Sequence, residues 1–387
     1  MTKLQNAVPE KLHGLDHLRA LAIALVFIFH YPGVADLPGW AWKIIDFGWV
    51  GVDLFFVLSG FLIARQLFAE LKATNSISVK QFFIKRFFRI IPVYLVVVAV
   101  YFLVPVFRER ESLPALWRFL TFTQNIGLNP SINGTFSHAW SLCIEEQFYL
   151  AFPLVIAALV YFKVTKKGVY LIAGLFLFTC LIRLYIWNTY MAPLIGKEGG
   201  DGNFWVTWMY YPTHTRLDGL LVGISIAGLV VFYPALTEKI TKYANLLLIT
   251  GIMILTGAYF LCFPRNGFNA NVFGFPLIAI GFGCMVLAAI SPGCVLYKFK
   301  SRITSSIAIL SYSVYLIHKA VRHLCFVYFG KMGLDEESYW MLLLSIVFTI
   351  LGALILRYTI EKPFLRPRCT VRGWQCLAGH RLLRRRR

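Results

Sequence analysis

Apolar stretches of about 20 residues, the length that carries a helix across the roughly 30 Å hydrocarbon core of a bilayer, recur from one end of this chain to the other. They predict helices near 17–35, 47–69, 88–107, 139–161, 168–188, 213–233, 243–262, 271–290, 303–329 and 338–360. The expected fold is an all-α polytopic membrane protein with about ten transmembrane helices. The loops between them alternate in charge. Loop 70–89 carries Lys72, Lys80, Lys85, Arg86 and Arg89, loop 162–167 carries Lys163, Lys166 and Lys167, and loop 291–302 carries Lys298, Lys300 and Arg302, whereas loops 36–46, 189–212 and 330–337 are poor in Lys and Arg. The positive-inside rule places the basic loops and both termini in the cytoplasm. Residues 1–365 then form the membrane domain, and 366–387, ending in "RLLRRRR", a basic cytoplasmic tail that reads as a topology or anionic-lipid anchor. The longest outer loop, 108–138, is too short for a folded domain and long enough to shape a mouth.

Composition sharpens this picture. Of 387 residues 58% are hydrophobic and 14% charged, where a soluble domain carries roughly 25% charged residues. The net charge of +20 would suggest nucleic acid in a soluble protein, but here the cations belong to the cytoplasmic face, and no nucleic-acid partner is expected. The eight cysteines, at 143, 180, 262, 284, 294, 325, 369 and 376, show no CxxC spacing, lie mostly in apolar segments and read as small core residues. No metal site is expected. The first apolar run lacks an A-x-A cleavage site and is expected to be retained as a span.

Ionisable residues inside spans are functional candidates, and helix rise converts sequence position into depth. In the first helix Arg19 lies near the inner edge and His30 eleven residues further, about 16 Å higher and almost three whole turns away, so both share one face. The second helix runs inward from Asp53, near the outer surface, to Ser59 about midway. The fourth, opening "HAWSLCIEEQFYL", brings Ser141, Glu145, Glu146 and Tyr149 in from the outer edge. "THTRLDGLLVG" adds His214, Arg216 and Asp218, and "SYSVYLIHKAV" leads to His318. Five helices are thus expected to deliver polar residues to one outer layer. Two adjacent carboxylates there need cations or protonation to compensate them. A neutral imidazole steadied by a carboxylate is the usual general base for a hydroxyl, so His30 with Glu145 or Glu146 suits that role. A structural ion network, or a histidine facing interfacial water, accounts for the same residues without chemistry. At the inner face, "FFIKRFFRIIPVY" sets Arg86 and Arg89 three apart on one side of a helix with Lys85 beside them. That geometry matches phosphate, and a positive-inside flank looks the same.

Six blocks in order resemble the acyltransferase-3 family of integral membrane acyltransferases. They are "GLDHLRALAIALVFIFH" with Arg19 and His30, "VGVDLFFVLSGFLI" around Ser59, "KRFFRIIPVY" with Arg86 and Arg89, "HAWSLCIEEQFYL" from Ser141 to Tyr149, "TRLDGLLVG" and "LSYSVYLIH". Cys143 stands where the family often has serine and His17 where glycine is common. The resemblance implies transfer of an acyl group, usually acetyl, from cytoplasmic acyl-CoA to a hydroxyl of an extracytoplasmic or lipid-linked glycan, in a multi-pass protein of the bacterial inner membrane. It implies His30 as the leading catalytic residue, with Glu145 and Glu146 beside it. Arg86 and Arg89 become contacts for the donor phosphates, with Arg19 further up. Asp53, Ser59, Ser141, Tyr149, Arg216, Asp218 and His318 are expected to bind substrate or support the site. Many relatives append a periplasmic esterase-like domain, and none is expected after the last helix here. The expectation is that it completes transfer itself or works with a separate periplasmic protein. A proton-coupled glycan transporter or flippase would use the same buried charges, though such proteins favour inverted repeats and none is visible here.

Overall fold

The computed structural model describes residues 12–31, 37–195 and 201–365. The basic tail 366–387 and its expected anchoring role lie outside the described residues. Among those described, the chain is helical with no strand. Ten long helices overlie the ten apolar stretches: α1 (His13–Phe29), α2 (Gly51–Thr74), α3 (Val79–Leu103), α4 (Trp140–Tyr161), α5 (Gly168–Ile186), α6 (Asp218–Phe232), α7 (Ala244–Leu261), α8 (Phe275–Ala289), α9 (Arg302–Lys331) and α10 (Tyr339–Leu356).

Among the described residues, seven helical segments are long and apolar enough to cross a membrane, or eight if α6 and the short helix Pro234–Thr241, bent from it by 111°, act as one. The three others fall short for separate reasons. α1 has 17 residues, which rise about 26 Å against a core of about 30 Å. It ends at Phe29, so His30 is the residue that closes the helix and not part of its body. α6 starts only at Asp218, after a 3-10 turn over Thr213–Thr215, and is followed at once by Pro234. α9 is long, but Ser305, Ser311, Ser313, His318 and Lys319 dilute its apolar content. The result is a multi-pass helical membrane protein in which the least apolar helices carry the polar groups.

Those helices occupy the centre. α2 packs against α6 at backbone distance, because Gly60, Gly219 and Gly223 remove the side chains that would hold the helices apart, a small-residue contact common in membranes. A Cβ on Gly223 would strike the Val57 carbonyl and stand 2.5 Å from the Phe61 nitrogen. Gly223→Val is therefore expected to destabilise the fold by at least the 1–3 kcal/mol or so of ordinary overpacking, read as a lower melting temperature in detergent. A variant that melts with the parent would mean that α2 and α6 can separate freely.

The long segment between α3 and α4 folds back onto the bundle. The Phe136 ring stacks on Tyr101 at 4.4 Å and on Phe119 at 5.8 Å, while its backbone sits at φ +55°, a left-handed conformation rare for a bulky residue. Glu109 of the same segment accepts the Phe136 N–H at 3.0 Å and pairs with Lys319 of α9 at 3.3 Å. This clamp fixes the entry to α4, and with it the two residues that follow Phe136, Ser137 and His138. Of the six described cysteines, all free, Cys143, Cys262, Cys294 and Cys325 are buried and Cys180 and Cys284 partly so.

Candidate functional site

The polar residues expected in one outer layer separate into three groups. The first is a cluster of imidazoles. At the end of α1, the His30 Nδ1 lies 2.9 Å from the Val26 carbonyl and 3.2 Å from the His318 Nε2. On α9 the His318 Nδ1 lies 2.8 Å from the Tyr315 carbonyl. A carbonyl only accepts, so both Nδ1 atoms carry hydrogen. The His318 Nε2 is then bare and accepts from His30, which leaves the His30 Nε2 with a lone pair and, among the described residues, no protein partner. His138 completes the cluster, its ring centroid 4.8 Å from that of His318 and 6.1 Å from that of His30. His30 and His138 line a cavity of about 110 Å³ whose other walls are largely aromatic, among them Trp49, Trp140, Trp205, Tyr210 and Tyr211, with Arg265 beside them.

The second group is a pair of buried ion pairs. Arg216 donates to both oxygens of Asp53, at 2.9 and 3.0 Å, and Arg183 donates to both of Asp218, at 2.6 and 3.1 Å, and to the Thr215 carbonyl at 2.9 Å. The Arg216 guanidinium also lies over Phe275 at 3.9 Å and Tyr210 at 4.6 Å, a favourable setting for a desolvated cation. These contacts tie α2 and α5 to the start of α6. Asp53, Arg216 and Asp218, expected to bind substrate or support the site, form cross-links between helices, the close partnering that a buried charge requires.

The third group surrounds a larger cavity of about 310 Å³, lined by Arg19, Ser59, Arg86, Arg89, Glu145, Glu146, Tyr149 and Glu361 among others. Arg86 and Arg89, one turn apart on α3, meet Arg19 of α1 here, and the Arg86 guanidinium lies 5.0 Å over the Tyr149 ring. Glu145 accepts from the Ser59 hydroxyl at 2.7 Å and from the Tyr149 hydroxyl at 3.4 Å. The expected contact of Glu145 or Glu146 with His30 is not made: both carboxylates face the arginine-lined cavity, and the neighbours of His30 are other histidines. Depth along α4 was legible, but the direction in which each side chain leaves the helix depends on where α1 and α9 pack.

One residue belongs to both cavities. Tyr315 of α9 lines each of them. Its hydroxyl donates to the His138 carbonyl at 2.5 Å, which leaves its oxygen to accept from the Ser141 hydroxyl at 2.6 Å. His138, Tyr315 and Arg183 were not among the residues singled out from sequence. His138 and Tyr315 lie inside blocks already quoted, and Arg183 is a single charge in an otherwise apolar helix, a signal in itself. Among the described residues no group of three or more His, Cys, Asp or Glu is arranged to hold a metal ion.

A family model described as an acyltransferase domain, that of acyltransferase-3, matches residues 12–358. The O-acetyltransferase OatA of Staphylococcus aureus (strain NCTC 8325 / PS 47) is 29% identical over 375 residues, covering 92% of this chain and 57% of the relative. A putative O-acetyltransferase of S. aureus strain COL, SACOL0978, is 28% identical over 378 residues, covering 94% and 58%. The chain thus spans a little over half the length of these curated relatives. No solved structure matches it. The family match runs through all three polar groups and every block quoted from the sequence, from α1 to the end of α10, and by that match the chain belongs to the acyltransferase-3 family.

Proposed function

We propose that the protein is an O-acetyltransferase of the bacterial inner membrane, moving an acetyl group from cytoplasmic acetyl-CoA to a hydroxyl of an extracytoplasmic or lipid-linked glycan, with His30 as general base. The observation that carries this reading is the bare His30 Nε2 at the aromatic cavity, with the arginine-lined cavity on the other side of Tyr315. Three guanidinium groups suit the phosphates of a CoA donor, and their side is the one flanked by the basic loop 70–89. Trp and Tyr rings around His30 offer flat apolar faces and polar edges to a sugar. The names of the relatives favour acetyl as the acyl group.

In this reading the acceptor oxygen attacks the thioester carbonyl as its proton passes to the His30 Nε2. The Nδ1–H, shared between the Val26 carbonyl and the His318 Nε2, holds the ring in that tautomer and steadies the imidazolium. Collapse of the tetrahedral intermediate breaks the C–S bond, and the thiolate leaves with the proton returned by His30. Glu145 acts on the donor side, holding Ser59 and Tyr149 in the cavity wall. The direct test uses membranes from the cell that makes the protein, which supply the natural acceptor, with labelled acetyl-CoA. Base-labile label on glycan, absent from a deletion strain, is the expected result.

Two further outcomes follow from the same reading. Arg86→Ala with Arg89→Ala is expected to raise the apparent KM for acetyl-CoA more than it lowers turnover, as loss of binding to a remote phosphate does. An unchanged KM would return both residues to topology signals. In a single turnover with labelled acetyl-CoA and no acceptor, direct transfer leaves the wild-type protein unlabelled. Label held on the protein and lost in His30→Ala would replace direct transfer with an acyl-histidine route.

A further inference from the structure

If the donor is held among the arginines and the acceptor beside His30, the acyl group has to pass between the two cavities, and this inference rests on that reading. The partition between them is thin and specific. On one side the 3-10 turn before α4 offers Ser137 and His138, and α4 itself Trp140, to the small cavity, and a residue later Ser141 and Leu142 to the large one; on the other stands Tyr315, the residue common to both. The Tyr315 side chain is held at its tip by the His138 carbonyl and the Ser141 hydroxyl, at 2.5 and 2.6 Å, and Phe55 of α2 meets its ring edge-on at 6.4 Å. Its main chain is committed as well, because the Tyr315 carbonyl accepts the His318 Nδ1–H that sets the tautomer of the imidazole pair. The ring is therefore fixed on three sides, and an acyl chain reaching His30 must pass along its edge into a cavity of about 110 Å³ that the acceptor also has to share.

We propose that Tyr315, pinned by Ser141 and His138, is the specificity-determining residue that limits the transferred group to acetyl and excludes chains of butyryl length and above. A close-packed wall discriminates against each extra methylene by about 10-fold or more where no slack exists to take it. Here the slack would have to come from breaking two short hydrogen bonds to a residue whose backbone holds the catalytic pair. Tyr315→Phe keeps the ring and releases its tip; Tyr315→Ala removes the barrier.

Membranes that supply the natural acceptor are given labelled acetyl-CoA or labelled butyryl-CoA, and base-labile label on glycan is measured for each. The parent is expected to incorporate butyryl at about a hundredth of the acetyl rate or less, Tyr315→Ala to raise the butyryl-to-acetyl ratio by about 10-fold or more, and Tyr315→Phe to raise it by less. Because the readout is a ratio, a general loss of folded protein does not move it. Should Tyr315→Ala fail to accumulate, Tyr315→Leu and Ser141→Ala report the same ratio, and each is expected to raise it. A parent that transfers butyryl as readily as acetyl, or variants that accumulate, stay active and keep the parental ratio, would overturn the assignment of Tyr315 alone. No base-labile label from either donor in parent membranes would sink the acyltransferase reading, and this inference with it.

Discussion

Replacing His30 with alanine is expected to lower acyl transfer by about 10²–10⁴-fold, the usual contribution of a general base, while the protein still inserts and folds. The size of the effect follows from the absence of a substitute. His318 donates its Nδ1–H to the Tyr315 carbonyl and turns its Nε2 to His30. The His138 Nε2 faces the Leu316 carbonyl at 3.4 Å, and its Nδ1 is buried with no partner among the described residues. His318 therefore has no lone pair to spare, and the one left on the His138 Nδ1 is buried away from the cavity surface. The fold should survive because His30 lies beyond the end of α1 and is only partly buried. His30→Asn is the sharper control: its amide can still donate to the Val26 carbonyl, yet it has no nitrogen able to take a proton at neutral pH. Base-labile acetyl on glycan measures activity, and gel filtration in detergent checks folding. Parental activity in a well-folded His30→Ala protein would end the general-base mechanism.

The largest expected effect on stability lies in the second polar group. Asp218→Ala leaves the Arg183 guanidinium with no counter-charge in a position where its side chain has 0% exposure and that of Asp218 had 3%. Breaking one side of a buried pair typically costs about 3–5 kcal/mol, whereas replacing both partners with apolar residues of similar size is often neutral. Asp218→Ala should therefore melt well below the parent in detergent, and Arg183→Met combined with Asp218→Leu should recover most of the loss. The recovery is what separates an ion-pair effect from a packing effect, since the double variant disturbs packing at least as much. If the double variant is no more stable than Asp218→Ala, the stranded charge is not the cause. Neither change touches the imidazole cluster, so any folded fraction of the double variant should retain acyl transfer.

The positions of the helices were legible because a membrane span declares itself in one dimension: about 20 apolar residues suffice whatever packs beside them. Each of the ten apolar stretches contains a helix among the described residues. The shortfalls in α1, α6 and α9 trace to the end of α1 at Phe29, the break at Pro234 and the polar residues from Ser305 to Lys319. The blocks around Arg19, His30, Ser59, Arg86, Arg89 and Glu145 likewise pointed to the acyltransferase-3 family before any fold was in hand. The meeting of Arg19 with Arg86 and Arg89 was half legible, since helix rise placed all three toward one end.

Which polar group meets which was not legible. Rise along a helix fixes height, and the 100° step fixes a face, but neither says which neighbour that face will find. Glu145 reaches Ser59 of α2, where His30 was the expected partner, because α2 packs against α4 on that side while α9 presents His318 to the end of α1. Asp53 and Arg216 were read as binding substrate or supporting the site, and it is the close α2–α6 contact that Gly60 and Gly223 permit which joins them in a cross-link. His138 lies outside the ordinary helices, in a short 3-10 turn, and enters the cluster through the stacking of Phe136 and the Glu109–Lys319 clamp. Sequence by itself determined the helices, the family and the inventory of polar side chains, all of which depend on residues near one another in the chain. The sorting of that inventory into an imidazole cluster, two structural ion pairs and an arginine-lined cavity, with Tyr315 between the two cavities, was decided by tertiary packing, because those pairings join different helices, most of them far apart in sequence.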